Sequence, residues 1–221
     1  MIELLDYEGG KILLDITNPS SDKAVILSHG FMSNKNKPLM VKVAQALSRE
    51  GINAVRFNYG TEDINERVIK LREVLKHISA KAGQVGLFGT SLGGMISIIV
   101  SVDQRVKSLA LVNPVYDQIS AIKNYLRVRK IALSAFKDKL EREFFNYDLP
   151  LLVKSSGKPL FVISGSRDRI IPVSVSRQLY KDATGKKKFM LLRDCGHVVW
   201  KKKHLVLVSE AVAKWFLETL S

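Results

Sequence analysis

The chain has 221 residues, a length typical of one α/β domain, with 25% charged and 46% hydrophobic residues. Its single cysteine, Cys195, excludes an internal disulfide and a metal site built from several cysteines. The longest apolar run, 95–102, is too short for the roughly 20 residues of a membrane span, and the amino terminus does not resemble a secretory signal. We therefore expect one domain over 1–221, located in the cytoplasm without stable membrane insertion.

The net charge is +14, and basic residues concentrate in 181–204 and 121–147. Such a surplus can indicate a partner with phosphates or an anionic membrane surface. Neither stretch is interleaved with aromatic residues as in single-strand binders, and no zinc-finger or RNA-recognition motif is present. We interpret these lysines as solvated and expect no nucleic-acid partner. A basic, non-catalytic protein that binds anionic membranes or nucleic acid is the alternative from another class.

The first half of the chain alternates between strand-like and helix-like patterns. Segments 2–6 and 11–16 flank Glu8-Gly9-Gly10 and predict a hairpin at a sheet edge. An apolar run over 24–28 predicts a buried strand, and the spacing of apolar residues over 39–47 predicts a helix that Gly51 ends. A strand over 52–57 and a helix over 64–78 follow.

The second half continues this alternation and defines the fold class. Strands are predicted at 85–88, 106–112, 159–164 and 188–192, and helices at 92–102, 173–180 and 204–220. Alternating strands and helices imply a mainly parallel, doubly wound α/β sheet of about eight strands, covered on both faces. Ligands in such sheets bind beyond the carboxyl ends of the strands, so the loops that follow the strands should hold the functional residues.

One stretch is too long for a simple crossover. More than 40 residues separate the sixth strand from the seventh, and we predict a helical insertion over 115–150. Its interpretation stays open between an insertion packed on the domain and a small cap over the site. The apolar residues of this insertion follow helical spacing: Ile119, Ile122, Leu126, Leu133, Phe136, Leu140 and Phe144.

The segment Gly89-Thr90-Ser91-Leu92-Gly93 has the Gly-x-Ser-x-Gly pattern. The pattern alone is weak evidence, but here it follows a buried strand and opens an apolar helix, as a nucleophile elbow requires. The glycines allow the close backbone approach of such a turn, and the start of the helix offers free N–H groups to negative charge. We expect Ser91 to be a nucleophile.

A serine nucleophile needs a positioned base and, behind the base, a carboxylate. Of the four histidines, His197 lies on the loop after the last strand, the correct edge for a base. Asp168, on the loop after the preceding strand, is the expected acid, and its flanking arginines would favour its ionised form if they approach it. Asp117 and Asp194 stay open as alternatives.

The segment His29-Gly30-Phe31 follows the third strand, where one half of an oxyanion hole is expected. The donors would be the backbone N–H groups of Phe31 and Leu92, with His29 bracing the loop. For substrate binding we expect apolar side chains near the entrance. The candidates are Phe31, Leu126, Phe136 and Leu140.

Ser91, Asp168 and His197 in this order, behind the His29-Gly30 loop, resemble the α/β-hydrolase superfamily over nearly the whole chain. The segments 28–31 and 89–94 are similar to small serine esterases of the cinnamoyl-esterase-like, lysophospholipase-like and dienelactone-hydrolase-like groups. The resemblance implies an α/β-hydrolase fold with a helical cap. It also implies a serine carboxylesterase that forms an acyl-enzyme from small to medium acyl or aryl esters and needs no metal or cofactor.

One segment departs from these relatives. Many carry a Gly-His-Gly-x-Ser-like turn after the fourth strand, where this chain has Phe57-Asn58-Tyr59-Gly60-Thr61-Glu62. Thioesterase and peptidase chemistry use the same triad and stay open as alternatives. The oligomeric state, a homodimer included, also stays open.

Overall fold

The computed structural model describes residues 1–129 and 147–220, which contain one eight-stranded sheet. The strands are β1 Ile2–Tyr7, β2 Gly10–Ile16, β3 Lys23–Ser28, β4 Asn53–Phe57, β5 Gln84–Thr90, β6 Val106–Val112, β7 Leu160–Gly165 and β8 Lys187–Leu192. The helices of this part are α1 Pro38–Arg49, α2 Ile64–Ser79, α3 Leu92–Val100, α4 Gln118–Arg129, α5 Leu149–Ser156, α6 Val173–Asp182 and α7 Lys202–Thr219.

The strand order is β1-β2-β4-β3-β5-β6-β7-β8. The β1–β2 and β2–β4 pairs are antiparallel, and every other pair is parallel. The predicted edge hairpin and mainly parallel sheet are therefore confirmed. Because β3, β5, β6, β7 and β8 run in one direction, the loops that follow them meet at one edge of the sheet. We call this the carboxyl edge.

Helices cover both faces of the sheet, as the apolar runs of the central strands predict. Successive residues of β3 alternate between two cores: Ile26 belongs to the cluster that includes α2 and α3, and Leu27 to the cluster that includes α1 and α7. Both clusters are buried. The central strands are therefore rigid supports for the loops at the carboxyl edge.

The structure differs from the predicted elements at the ends of several elements and in one additional helix. The helix α3 ends at Val100, two residues early, and α7 begins at Lys202, two residues before the predicted start. The short helix α5 was missed. It is capped by Asp148, whose carboxylate accepts the Leu151 N–H at 3.0 Å, and ends at Gly157, whose φ is 58°. The pattern did not predict it because eight residues carry only a short apolar period.

The predicted insertion is described only in part. In α4, Leu126 is buried and Ile122 is half-buried, whereas Ile119 is exposed, so the buried face is narrower than the apolar stripe. Leu133, Phe136, Leu140 and Phe144 lie outside the described residues, and the cap stays a prediction. Across 1–129 and 147–220, no helix combines the length and the apolar character needed to cross a bilayer.

Candidate active site

Ser91 stands between β5 and α3 with φ 53° and ψ −120°, a conformation that is costly for a residue with a side chain. Its own backbone groups are held by neighbours. The Ser91 N–H donates to the carbonyl of Val112 at 3.0 Å, and its carbonyl accepts the N–H of Val115 at 3.1 Å. The strained turn is thus supported by the end of β6, which keeps the Ser91 hydroxyl at the carboxyl edge.

Gly93, the second glycine of the motif, allows the turn to pack on the neighbouring strand. A Cβ on Gly93 would lie 2.2 Å from the carbonyl oxygen of Ser28, the last residue of β3. Backbone atoms cannot move aside as a flexible side chain can, so only glycine fits there. The start of α3 and the end of β3 are therefore in direct contact.

The structure brings the three predicted residues together. His197 Nε2 lies 2.9 Å from Ser91 Oγ, and His197 Nδ1 lies 2.7 Å from Asp168 Oδ2. The other carboxylate oxygen of Asp168 accepts the N–H groups of Ile170 at 2.8 Å and Ile171 at 2.9 Å. Since the carboxylate accepts, we assign the His197 proton to Nδ1, which leaves Nε2 free to accept from the Ser91 hydroxyl.

The two alternative acids are engaged elsewhere. Asp117 caps α4 by accepting the Ser120 N–H at 3.0 Å. Asp194 forms an ion pair with Arg167, with Arg167 Nη2 2.6 Å from Asp194 Oδ1. Arg167, one of the two arginines that flank Asp168 in the sequence, is therefore paired with Asp194. The contacts of the buried Asp168 carboxylate are His197 Nδ1 and the backbone N–H groups of Ile170 and Ile171.

His29 braces the loop after β3, as expected. Its Nδ1 donates to the Gly30 carbonyl at 2.9 Å, and its Nε2 accepts the Tyr59 N–H at 3.3 Å. Burial lowers the pKa of His29 from 6.5 to about 4, with a smaller lowering from the Arg67 charge and an opposing effect of the Gly30 hydrogen bond. His29 is therefore neutral near pH 7, and both ring nitrogens serve the loop.

The sequence analysis did not predict a role for Arg67, which donates hydrogen bonds to the loop after β3. Its fully buried guanidinium places Nη1 3.3 Å from both the His29 and Gly30 carbonyl oxygens. Nη2 lies 2.6 Å from a carboxylate oxygen of Glu62, whose other oxygen accepts the Met32 N–H at 3.1 Å. A signal was present, because Arg67 follows Ile64 by three residues on the apolar face of α2.

Asn113 is a second residue whose role the sequence analysis did not predict. It directly follows β6 and forms hydrogen bonds with the end of β7 and the loop after β8. Its side-chain nitrogen donates to the His197 carbonyl at 2.8 Å, and its side-chain oxygen accepts the Gly165 N–H at 2.8 Å. Its φ of 46° is one that asparagine adopts more readily than most residues. Asn113 therefore ties the loop of His197 to the end of β7, just before the loop of Asp168.

With this geometry in place, the comparisons with known proteins identify the family. The sequence model described as the prolyl oligopeptidase family matches residues 45–221, which include Ser91, Asp168 and His197. The chain belongs to this family of α/β-hydrolases. Two uncharacterised proteins of Mycobacterium tuberculosis strains CDC 1551 and H37Rv are each 22% identical over 195 residues. The aligned region covers 82% of this chain and only 65% of each relative.

Solved structures show the same fold. Est1E from Butyrivibrio proteoclasticus is 18% identical, with 98% of each chain covered and a TM-score of 0.84. A Pyrococcus furiosus esterase is 19% identical, covering 100% of this chain and 91% of its own, with a TM-score of 0.82. Dienelactone hydrolase from Anabaena variabilis is 14% identical, covering 100% and 98%, with a TM-score of 0.78. The predicted α/β-hydrolase fold is confirmed.

The lone cysteine of this α/β-hydrolase is buried two residues before His197. Burial raises the pKa of the Cys195 thiol, and the nearby Asp168 charge raises it further, against a smaller opposing effect of Lys201. The thiol form therefore dominates near pH 7, so Cys195 lacks the lowered pKa of a reactive cysteine. Within the described residues, no cluster of three or more histidine, cysteine or acidic side chains could hold a metal ion.

Two of the predicted oxyanion and substrate residues, Phe31 and Leu92, lie next in the chain to Gly30 and Ser91. Gly30 is close to Ser91, since a Cβ on Gly30 would lie 3.2 Å from the Ser91 Cβ. The ring of Phe31, the next residue, packs edge-on against Tyr125 of α4 with 5.6 Å between centroids. Leu92 opens α3 directly after Ser91. Phe136 and Leu140 lie outside the described residues, and the substrate-binding roles of these side chains stay predictions.

Proposed function

We propose that the protein is a serine hydrolase that cleaves carboxylic esters of small to medium acyl or aryl substrates through an acyl-enzyme. The observation that carries this proposal is the continuous chain of hydrogen bonds from Ser91 through His197 to Asp168, with distances of 2.9 and 2.7 Å. Such a chain raises the nucleophilicity of a serine near neutral pH. The proposed reaction takes place in the cytoplasm and needs no metal or organic cofactor.

In this reaction, Ser91 Oγ attacks the ester carbonyl carbon while His197 Nε2 accepts the hydroxyl proton. The carbonyl π electrons move to oxygen and give a tetrahedral oxyanion. Its collapse breaks the bond to the alcohol, which leaves with the proton returned by His197. Water then attacks the acyl-serine ester with His197 again as base, and collapse releases the carboxylic acid and restores Ser91. Asp168 keeps the imidazole in the required tautomer and stabilises the imidazolium.

The oxyanion would accept hydrogen bonds from the backbone N–H groups of Phe31 and Leu92. One well-placed donor of this kind is typically worth about 3 kcal/mol of the barrier. The Gly30 carbonyl accepts from both Arg67 and His29, and in a trans peptide the following N–H points the opposite way. Arg67 thus holds and polarises the Gly30–Phe31 peptide, which makes the Phe31 N–H a stronger donor.

The experiment measures the hydrolysis of nitrophenyl esters of graded acyl length. Aryl esters, thioesters and prolyl peptides are assayed separately as alternative substrates. Aryl esters belong in the panel because ferulic acid is bound to Est1E in one of its structures. Prolyl peptides belong there because of the family that the chain belongs to, and faster cleavage of a peptide or a thioester would replace the ester assignment. A fluorophosphonate that labels one serine per chain distinguishes an enzyme from a basic protein without catalytic activity.

Ser91→Ala should abolish ester hydrolysis and fluorophosphonate labelling while the fold is kept, because the Ser91 hydroxyl forms the covalent bond to the acyl group and to the label. The control is Ser101→Ala, since Ser101 follows the far end of the same helix and its hydroxyl only donates to the Ile98 carbonyl at 2.7 Å. It should retain activity. Most of the activity remaining in folded Ser91→Ala would refute the proposal.

A further inference from the structure

Three large apolar side chains are exposed beside the triad: Met32 is 74% exposed, Val198 65% and Trp200 68%. Met32 is two residues from Gly30, which abuts Ser91, and Val198 directly follows His197. Since consecutive Cα atoms are about 3.8 Å apart, both are held close to the nucleophile, and Trp200 lies two residues farther on. We call these three residues the apolar rim.

The loops that carry Asp168 and His197 place positive charge beside the apolar rim. The stretches 166–172 and 193–203 contain two carboxylates, of which Asp168 is buried and Asp194 is paired with Arg167. They contain six cationic residues: Arg167, Arg169, Arg193, Lys201, Lys202 and Lys203. This surface therefore presents an uncompensated positive charge next to exposed apolar groups.

The lysine cluster, Lys201–Lys203, lies where its positive charges are electrostatically unfavourable in the isolated protein. It stands at the amino-terminal end of α7, where the helix dipole already adds positive potential, and the first turn of α7 holds no acidic residue. The Lys201 Nζ also lies 5.9 Å from the centre of the exposed Trp200 ring, so cation and aromatic group are presented together. An external anionic surface would compensate this charge.

We propose that the apolar rim and the lysine cluster dock the protein peripherally on an anionic phospholipid bilayer, with the active site facing the lipid. Tryptophan is favoured at the depth of the headgroups, and lysines pair with anionic lipids while their stems stay in the interface. Met32 and Val198 have no ring to stack on a base, so a bilayer fits this surface better than a nucleic acid. This docking does not depend on the proposed chemistry.

Vesicle binding tests the docking in the Ser91→Ala protein, where no substrate is turned over. The protein should sediment with phosphatidylcholine–phosphatidylglycerol vesicles, bind pure phosphatidylcholine at least tenfold more weakly, and dissociate at high salt. Tryptophan fluorescence reports the contact, because the chain has two tryptophans and Trp215 is buried in the core. The emission should shift to shorter wavelength on binding, and Trp200→Phe should lose that shift.

The decisive pair of variants removes the same charge from opposite edges. The triple variant Lys201→Gln, Lys202→Gln, Lys203→Gln should weaken binding to the anionic vesicles at least tenfold. The control triple, Lys107→Gln, Lys181→Gln, Lys186→Gln, changes exposed lysines near the start of β6, the end of α6 and the start of β8, at the other edge of the sheet. It should change binding less than threefold.

Three results would overturn the docking proposal. The first is equal loss of binding in the two triple variants, which would make the effect one of net charge. The second is equal binding to neutral and anionic vesicles. The third is binding of a single-stranded oligonucleotide through Lys201–Lys203 without vesicle binding, which would assign the surface to nucleic acid. None of these results would affect ester hydrolysis, so failure of the docking and failure of the proposed function are distinguishable.

Discussion

Both oxygens of the Asp168 carboxylate are used, one by the His197 ring and one by the N–H groups of Ile170 and Ile171. All three partners donate hydrogen bonds, so only a side chain with two acceptor oxygens can pair with all of them. An asparagine there must turn its NH₂ toward a donor, either the imidazole Nδ1–H or the backbone. This arrangement makes the identity of the acid directly testable.

Asp168→Asn should lower kcat by about four orders of magnitude, because the amide selects the wrong imidazole tautomer, as the corresponding change does in a serine protease. Steady-state hydrolysis of a nitrophenyl ester measures the effect. Asp117→Asn and Asp194→Asn are matched controls and should stay within a few-fold of the unchanged protein. If Asp168→Asn were nearly silent while one control lost activity, the acid would be misassigned.

Arg67 lets the oxyanion loop be tested without touching the reacting atoms. Arg67→Met keeps most of the side-chain length but removes every donor, so kcat should fall about a hundredfold, as when an oxyanion donor is lost, with KM little changed. A boronic acid that mimics the tetrahedral oxyanion should lose affinity by a similar factor. Arg67→Lys, which keeps the charge, should recover part of kcat. A drop in thermal stability with kcat and boronate affinity unchanged would instead indicate a purely structural role.

At the scale of the elements, α4 contacts two loops of the candidate site. The hydroxyl of Tyr125 lies 3.8 Å from the Met32 sulfur, and the Asn124 side chain donates to the Ile170 carbonyl at 3.1 Å. The first loop contains Phe31, whose N–H is the proposed oxyanion donor, and the second contains Asp168. These contacts support the cap interpretation, although an insertion that packs away from the cleft stays open.

If α4 belongs to a cap, Leu126→Ala should lower activity on long-chain esters more than on an acetyl ester. Burying one methylene is worth about 0.8 kcal/mol, so the preference should change about fourfold per methylene that loses its contact. The ratio of kcat/KM values across an ester series measures this. Val153→Ala on α5 is the control, since Val153 is buried in the core and its loss should lower stability alone. If Leu126→Ala also lowered stability without changing the preference for acyl length, Leu126 would have no role in the acyl pocket.

At the scale of the whole molecule, the neutral His29 couples stability to pH. Its pKa is lowered to about 4 in the folded protein, against 6.5 without these contacts. Between these values the unfolded chain binds a proton that the folded chain does not, so stability is complete above pH 6.5 and is lost as the pH falls toward 4. Burial of one histidine thus limits the acid stability of the fold.

The free energy of unfolding should decrease by about 1.6 kcal/mol between pH 6.5 and 5 from His29 alone, because the slope approaches about 1.4 kcal/mol per pH unit only below pH 6.5. Urea denaturation at the two pH values measures the decrease. Comparison with His29→Gln isolates it, because the carboxylates contribute equally to both proteins. His29→Gln starts less stable at pH 7, but its stability should fall less on acidification. An equal decrease in the free energy of unfolding for the two proteins would contradict the lowered pKa of His29.

Local patterns were enough to predict the layers of this fold and the position of Ser91, the candidate nucleophile. The apolar runs of the central strands, such as β3, and the 3.6-residue spacing in α2 depend on neighbours within one element, so they can be recognised in the sequence. The turn around Ser91 needs glycine at fixed offsets for the same local reason. The chain order Ser91, Asp168, His197 then followed from which loops come after which strands.

Contacts between distant segments depended on the assembled sheet. Asp194 is only three residues from His197, yet Asp168 is its partner, because β7 lies beside β8 and the turn after β7 aims the carboxylate at the ring. Asn113 and Arg67 act across intervals of 84 and 38 residues. Hydrogen bonds of this kind form only when the strand order brings two loops together. The periodicity of apolar residues along the chain does not predict which loops become neighbours.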